Sequence, residues 1–122
     1  MRRLAMFALA STMAACSVDS TGPYGSVAGT YSLRTINGQT LPYTFSSGTQ
    51  LTSEQLTMYR DGTYQDESRY SDGSSFVDDG SYDNYNGAIT FYSSSGGTYQ
   101  GSLTDNVLTQ IFNGYTQVFE RN

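Results

Sequence analysis

From residue 29 onward, hydrophobic side chains recur at every second position within short stretches. Tyr31 falls in step with Leu33, Leu56 with Met58, Ile89 with Phe91, and Tyr99 with Leu103, with polar or small residues between them. Successive side chains on a strand point to opposite faces, so this spacing predicts half-buried strands with those pairs turned inward. Arg34 and the Ser, Thr and Gln positions are then expected mostly on the outside. The stretches are 30–36, 41–45, 54–59, 63–70, 75–77 running on through 81–85, 88–93, 98–104, 107–112 and 115–121. No segment sustains an apolar 3.6-residue period, although Ser53-Glu54-Gln55 leaves room for a helical turn.

Between the stretches sit Asn37-Gly38, Asp61-Gly62, Asp72-Gly73, Asn86-Gly87, Gly96-Gly97, Asp105-Asn106 and Asn113-Gly114. Such pairs adopt the positive φ angles of tight hairpins, which makes the chain a meander of antiparallel strands. Asp61-Gly-Thr-Tyr64, Asp79-Gly-Ser-Tyr82 and Gly96-Gly-Thr-Tyr99 repeat a turn-then-tyrosine pattern, which reads as shared turn chemistry rather than duplication. The fold class expected is all-β: a small up-and-down barrel of about eight strands, with a two-sheet sandwich as the alternative. Closure removes exposed edges, which a chain without lysine cannot protect with lysine side chains. Aliphatic residues are few and there are 11 tyrosines, so tyrosine must supply much of the buried area and find partners for its hydroxyls.

The first residues change the picture. Arg2 and Arg3 precede an apolar run over 4–10, as in a secretory signal. From Leu4 to Cys16 a helix would rise only ~20 Å at ~1.5 Å per residue, too short for a hydrocarbon core of ~30 Å. Met13-Ala14-Ala15-Cys16 resembles the lipobox of bacterial lipoproteins, in which the cysteine becomes the first mature residue and carries acyl chains. Cys16 is accordingly the candidate lipid-attachment residue, its thiolate being a good nucleophile for a thioether. Cleavage as an ordinary signal peptide is the alternative and would leave a free thiol. A disulfide within the chain is excluded, because Cys16 has no second cysteine. The domain reading is a signal peptide at 1–15, the lipidated cysteine and a Gly- and Ser-rich tether at 16–28, and a barrel at 29–122. Ser17 follows the cysteine where aspartate would favour inner-membrane retention, so the resemblance implies the outer membrane of a bacterial envelope.

At Gly29-Thr-Tyr31 the chain looks like the Gly-x-Trp motif of lipocalins and their calycin relatives, with tyrosine in place of tryptophan. Asn37-Gly38-Gln39-Thr40-Leu41-Pro42 looks like small bacterial lipocalin-like lipoproteins of unassigned function. The resemblance implies an arginine at the barrel end stacked over the aromatic ring, and Arg121 falls where that residue would stand. Tyr31 and Arg121 are therefore the expected packing pair.

Loss of Arg2 and Arg3 with a signal takes the net charge from −5 to −7. Four dispersed arginines among 11 acids exclude a nucleic-acid partner, since phosphate neutralisation needs a concentrated basic surface. Histidine and lysine are absent, which removes the commonest general base and the usual Schiff-base nucleophile. No triad can be assembled, no ordinary zinc or copper site is available, and no cofactor is expected. Asp66-Glu67 and Asp78-Asp79 are adjacent carboxylates, but neighbours on a strand face opposite ways and neither pair converges on a substrate. An EF-hand alignment on Gly87 puts Tyr82 where the first aspartate must be, which leaves only a loose calcium site at Asp78, Asp79 and Asp83 in an irregular loop. Tyr59, Tyr64, Tyr70, Tyr82, Tyr85, Tyr92 and Tyr99 form either a glycan- or peptide-binding face or ordinary core and cross-strand packing, and the second is the reading preferred.

The function expected is a lipid-anchored, non-enzymatic binding or interaction module. Its alternatives are a lipocalin-type carrier of a small hydrophobic ligand and, behind that, a carboxylate-dependent enzyme. Its partners would be the membrane through the lipid and a protein, a glycan or a small hydrophobic ligand. An open barrel mouth of several hundred Å³ marks a carrier, and a filled barrel with an exposed tyrosine face marks an interaction module.

Overall fold

The computed structural model describes residues 24–122, so Cys16 and the lipobox-like segment lie outside the described residues. These residues form ten strands and no helix. In chain order they are β1 (Gly29–Ile36), β2 (Gln39–Thr40), β3 (Tyr43–Thr44), β4 (Gln50–Met58), β5 (Thr63–Tyr70), β6 (Ser75–Tyr85), β7 (Ala88–Ser93), β8 (Thr98–Thr104), β9 (Val107–Phe112) and β10 (Tyr115–Arg121). β4 to β10 pair antiparallel in sequence order, β10 pairs with β1, and β1 pairs with β4. That last pairing closes an eight-stranded up-and-down barrel, to which β2 and β3 are short additions.

Local chemistry sets the turns. Asn37, Asn86 and Asn113 have φ of 50°, 52° and 51°, and Asp105 and Asn106 have 52° and 68°, as two-residue hairpins require. Asp61 and Asp72 close the wider turns by accepting bonds from the amides and hydroxyls of Thr63 and Ser74. The strand starting at Asp79 in the repeated turn-then-tyrosine pattern is a correction: Asp79 and Gly80 lie inside β6. An added Cβ at Gly80 would sit 2.0 Å from the Tyr92 carbonyl oxygen, so this glycine serves close backbone approach between β6 and β7. Ser53-Glu54-Gln55 likewise belongs to β4 and not to a helical turn.

The two ends of the barrel differ. At one end, residues 24–28 fold across the opening and Val27 is buried, so this part of the expected tether is packed onto the barrel. Val27, Tyr31, Met58 and Tyr82 fill that end, and the Tyr24 ring meets Tyr82 edge-on with centroids 5.2 Å apart. At the other end β1 leaves β4: only 29–32 pair with 55–58, while Thr35 and Ile36 pair with β2. The excursion through β2 and β3 thus splays the barrel open there.

Candidate functional site

Following the inward positions from the closed end to the open end explains what the interior holds. β10 turns in Phe119, Gln117 and Tyr115, and β9 turns in Leu108, Gln110 and Phe112 opposite them in register. β4 presents Leu56, Glu54 and then, past a register shift, Leu51. β5 presents Tyr64, Asp66, Ser68 and Tyr70. On each strand a polar layer lies between a hydrophobic floor and a hydrophobic rim, which is leucine on β4 and aromatic on β5, β9 and β10. Above the floor is a cavity of about 670 Å³, open at the splayed end. Phe45, Tyr70, Phe76, Ile111, Phe112 and Tyr115 form its mouth, and Glu54, Asp66, Ser68, Asp78, Gln110 and Gln117 line its depth. The rings of Phe45 and Tyr115 meet edge-on at 5.5 Å, and those of Tyr99 and Phe112 at 5.2 Å.

Three carboxyl groups converge here. Asp66 stands opposite Asp78 across the β5–β6 ladder, and Glu54 stands opposite Ser68 across β4–β5. Asp78 is well served: Oδ2 accepts bonds from the hydroxyls of Tyr64 and Tyr99, both 2.8 Å away, and Oδ1 accepts one from Ser93 at 2.6 Å. Burial pushes the Tyr64 and Tyr99 phenols far up, so both remain neutral donors to that carboxylate. Glu54 and Asp66 both line the cavity and influence each other's ionisation. Burial raises the Glu54 carboxyl, against bonds from Asp66, Ser68 and Gln117 that lower it. Burial also raises Asp66, well above the usual carboxylate range, reinforced by the bond to Glu54 and by repulsion from Glu54 and Asp78. Burial and neighbouring like charge both favour the protonated form of such a carboxyl.

The two buried side-chain atoms of the cavity that lack a partner are both acceptors. Gln110 is 4 % exposed; its amide nitrogen bonds Gln117 at 3.1 Å, and its Oε1 has no partner. Asp66 Oδ1 is sealed from solvent and receives no N–H or hydroxyl donor. No arginine lines the cavity. Arg34 and Arg69 pair on the outer surface with Glu120 and Glu67, and Arg60 is exposed. Among the described residues no three acids gather closely enough to hold a metal ion.

The residues singled out from the sequence fall in three places. Tyr31 and Arg121 come together at the closed end, where Arg121 Cζ lies 5.2 Å from the ring centroid. Cys16 lies outside the described residues. The tyrosines divide: Tyr64 and Tyr82 are buried, Tyr70 and Tyr99 half-buried, while Tyr59, Tyr85 and Tyr92 face outward. They form no single face. The irregular loop in which Asp78, Asp79 and Asp83 could have held calcium loosely is not formed, since all three lie in β6. Asp78 points inward, while Asp79 accepts from Ser94 and Asp83 from Tyr92.

Ser68, Gln110 and Gln117 belong to the residue types expected mostly outside, Glu54 was assigned no face, and all four are buried. A signal was present: each shares the alternation phase of an inward apolar neighbour, as Glu54 does with Leu56 and Gln117 with Phe119. Compared with protein-family models, curated proteins and solved structures, the chain matches none.

Proposed function

We propose that the protein is a carrier that holds a small, partly apolar ligand in its barrel, and that a lipid at Cys16 keeps it on a bacterial envelope. The observation that carries this reading is the open cavity of about 670 Å³ with an aromatic mouth. Pockets for small molecules commonly measure ~300–1,000 Å³ and combine apolar walls with a few placed polar groups. The exposed rings and aliphatic side chains of Phe76, Ile111 and Phe112 sit at the cavity entrance, where an entering ligand would shield them. The likeness of Gly29-Thr-Tyr31 and Arg121 to the lipocalin barrel end agrees with a carrier. The chain enters the barrel at the closed end with Tyr24, eight residues after Cys16, so an anchor there would leave the mouth on the far side.

The experiment is a titration with N-phenyl-1-naphthylamine, an uncharged apolar fluorophore. Saturable enhancement at one probe per chain is expected, and its loss in a Ser68→Phe variant that fills the cavity while retaining the wild-type circular dichroism. No enhancement with the wild type would sink the carrier reading. Membrane fractionation tests the anchor separately: Cys16→Ser should release the protein, and retention would contradict lipidation.

A further inference from the structure

Resting on the carrier reading, the geometry points to the chemistry of the ligand: a protonated amine on an apolar or aromatic body, its ammonium group seated against Glu54 and Asp66. Four observations carry this. First, the hydrogen-bonding deficit of the cavity has one sign. Gln110 Oε1 and Asp66 Oδ1 are acceptors without an N–H or hydroxyl donor, and the third buried atom lacking a partner, Arg121 Nε, belongs to the closed end. A buried acceptor is completed by a donor, and an ammonium group brings three.

Second, the charge deficit has the same sense. Glu54, Asp66 and Asp78 line the cavity with no basic side chain among its lining residues. The chain contains no lysine or histidine that a rearrangement could bring in. A cationic ligand would supply the countercharge that no lining side chain offers. Third, Asp78 is already bound by three hydroxyls, so the position left for a cation is at Glu54 and Asp66, where Asp66 Oδ1 has no donor. The acids do not gather into a metal-ligand set among the described residues, which favours an organic cation over a metal ion. Fourth, the mouth above this layer is aromatic, with Phe45, Tyr70, Phe112 and Tyr115 at the entrance. Such rings suit an apolar body and attract cations on their way in.

An amine would enter as the cation and donate N–H bonds to the carboxylates of Glu54 and Asp66 and to Gln110 Oε1. Charge-assisted bonds in a water-poor site are strong, so the head group should decide affinity.

The test uses the full chain and three indoles that differ only in their head: tryptamine, tryptophol and indole-3-propionate. Each competes with N-phenyl-1-naphthylamine, and each is also titrated directly by calorimetry. Tryptamine is expected to bind roughly tenfold or more tightly than tryptophol, with the propionate weakest. In a Glu54→Gln/Asp66→Asn variant the tryptamine advantage should vanish while the fluorophore still binds. Equal binding of tryptamine and tryptophol by the wild type overturns the amine inference and leaves the carrier reading standing. So does an advantage that survives the double substitution. Absence of binding by the fluorophore and by all three indoles overturns the carrier reading itself, and with it the inference.

Discussion

Arg121 lies over the Tyr31 ring, 5.2 Å from Cζ to the ring centroid, and the last strand is thereby locked to the first. The guanidinium also donates to the Ser26 carbonyl at 2.9 Å, and the Tyr31 hydroxyl donates to the Val27 carbonyl at 2.6 Å. Both residues thus hold the 24–28 segment across the closed end. Gly29 suits this corner through its backbone: its φ is +151°, whereas a Cβ there would make only ordinary contact with Arg121 Cδ at 3.4 Å.

Tyr31 is 0 % exposed, so Tyr31→Ala should cost on the order of 3 kcal/mol, as large aromatic truncations do. Arg121→Ala should cost about 1 kcal/mol, through lost packing as well as lost charge. Because the two side chains share one contact, their costs should not add in a double-mutant cycle measured by urea unfolding. Additive losses would mean that the two residues act separately.

Gly80→Ala should destabilise by about 1–3 kcal/mol or more, because the new Cβ meets a backbone oxygen that cannot rotate away. The same substitution at Gly38, whose added Cβ would meet nothing within 4 Å, should cost only the strain of its φ of +80°. Thermal unfolding of the two variants compares them directly. A smaller loss at Gly80 than at Gly38 would contradict the close β6–β7 approach.

The acid pair sets a pH dependence of stability. Glu54 and Asp66 have carboxyls raised by burial, so the folded chain binds protons more tightly than the unfolded chain. Between the unfolded carboxylate pKa of about 4 and the raised folded values, ionisation works against the fold, and stability falls as pH rises. Below about pH 4 both states are protonated and the penalty is gone. Asp78 on β6, Tyr64 on β5 and Tyr99 on β8 are the other titratable groups turned toward the pair. The two phenols stay neutral in this window. Asp66→Asn should raise stability at pH 7 by on the order of 1–3 kcal/mol and flatten the pH profile, since it removes an ionisable group buried beside like charge. An unchanged profile would place both carboxyls in ordinary solvent.

Much of the fold was legible because turn chemistry is local. The strands at 63–70, 88–93, 98–104, 107–112 and 115–121 have the ends expected of them, each bounded by an Asn-, Asp- or Gly-rich pair. The stretch 41–45 was expected as one strand and is shortened to Tyr43–Thr44, while the unexpected pair Gln39–Thr40 joins a different neighbour where the barrel flares. That flare depends on where β1 parts from β4, a long-range event with no local mark. The cavity was hidden for the same reason. Adjacent acids do point apart, with Asp66 inside and Glu67 paired to Arg69 outside. Asp66 meets Asp78 only through the β5–β6 register, and Glu54 joins them only through β4–β5. Reading residues along one strand excludes the neighbouring pairs and misses the cross-strand cluster. The inward glutamines were missed because residue type was allowed to outweigh alternation phase.

Amide NMR during titration with N-phenyl-1-naphthylamine tests the cavity most directly. Shifts should concentrate at Phe45, Ser68, Tyr70, Gln110 and Tyr115, which surround the open end, and should spare Tyr31, Met58 and Arg121 at the closed end. Shifts confined to the outward Tyr59, Tyr85 and Tyr92, with the cavity residues unmoved, would contradict a ligand held inside the barrel.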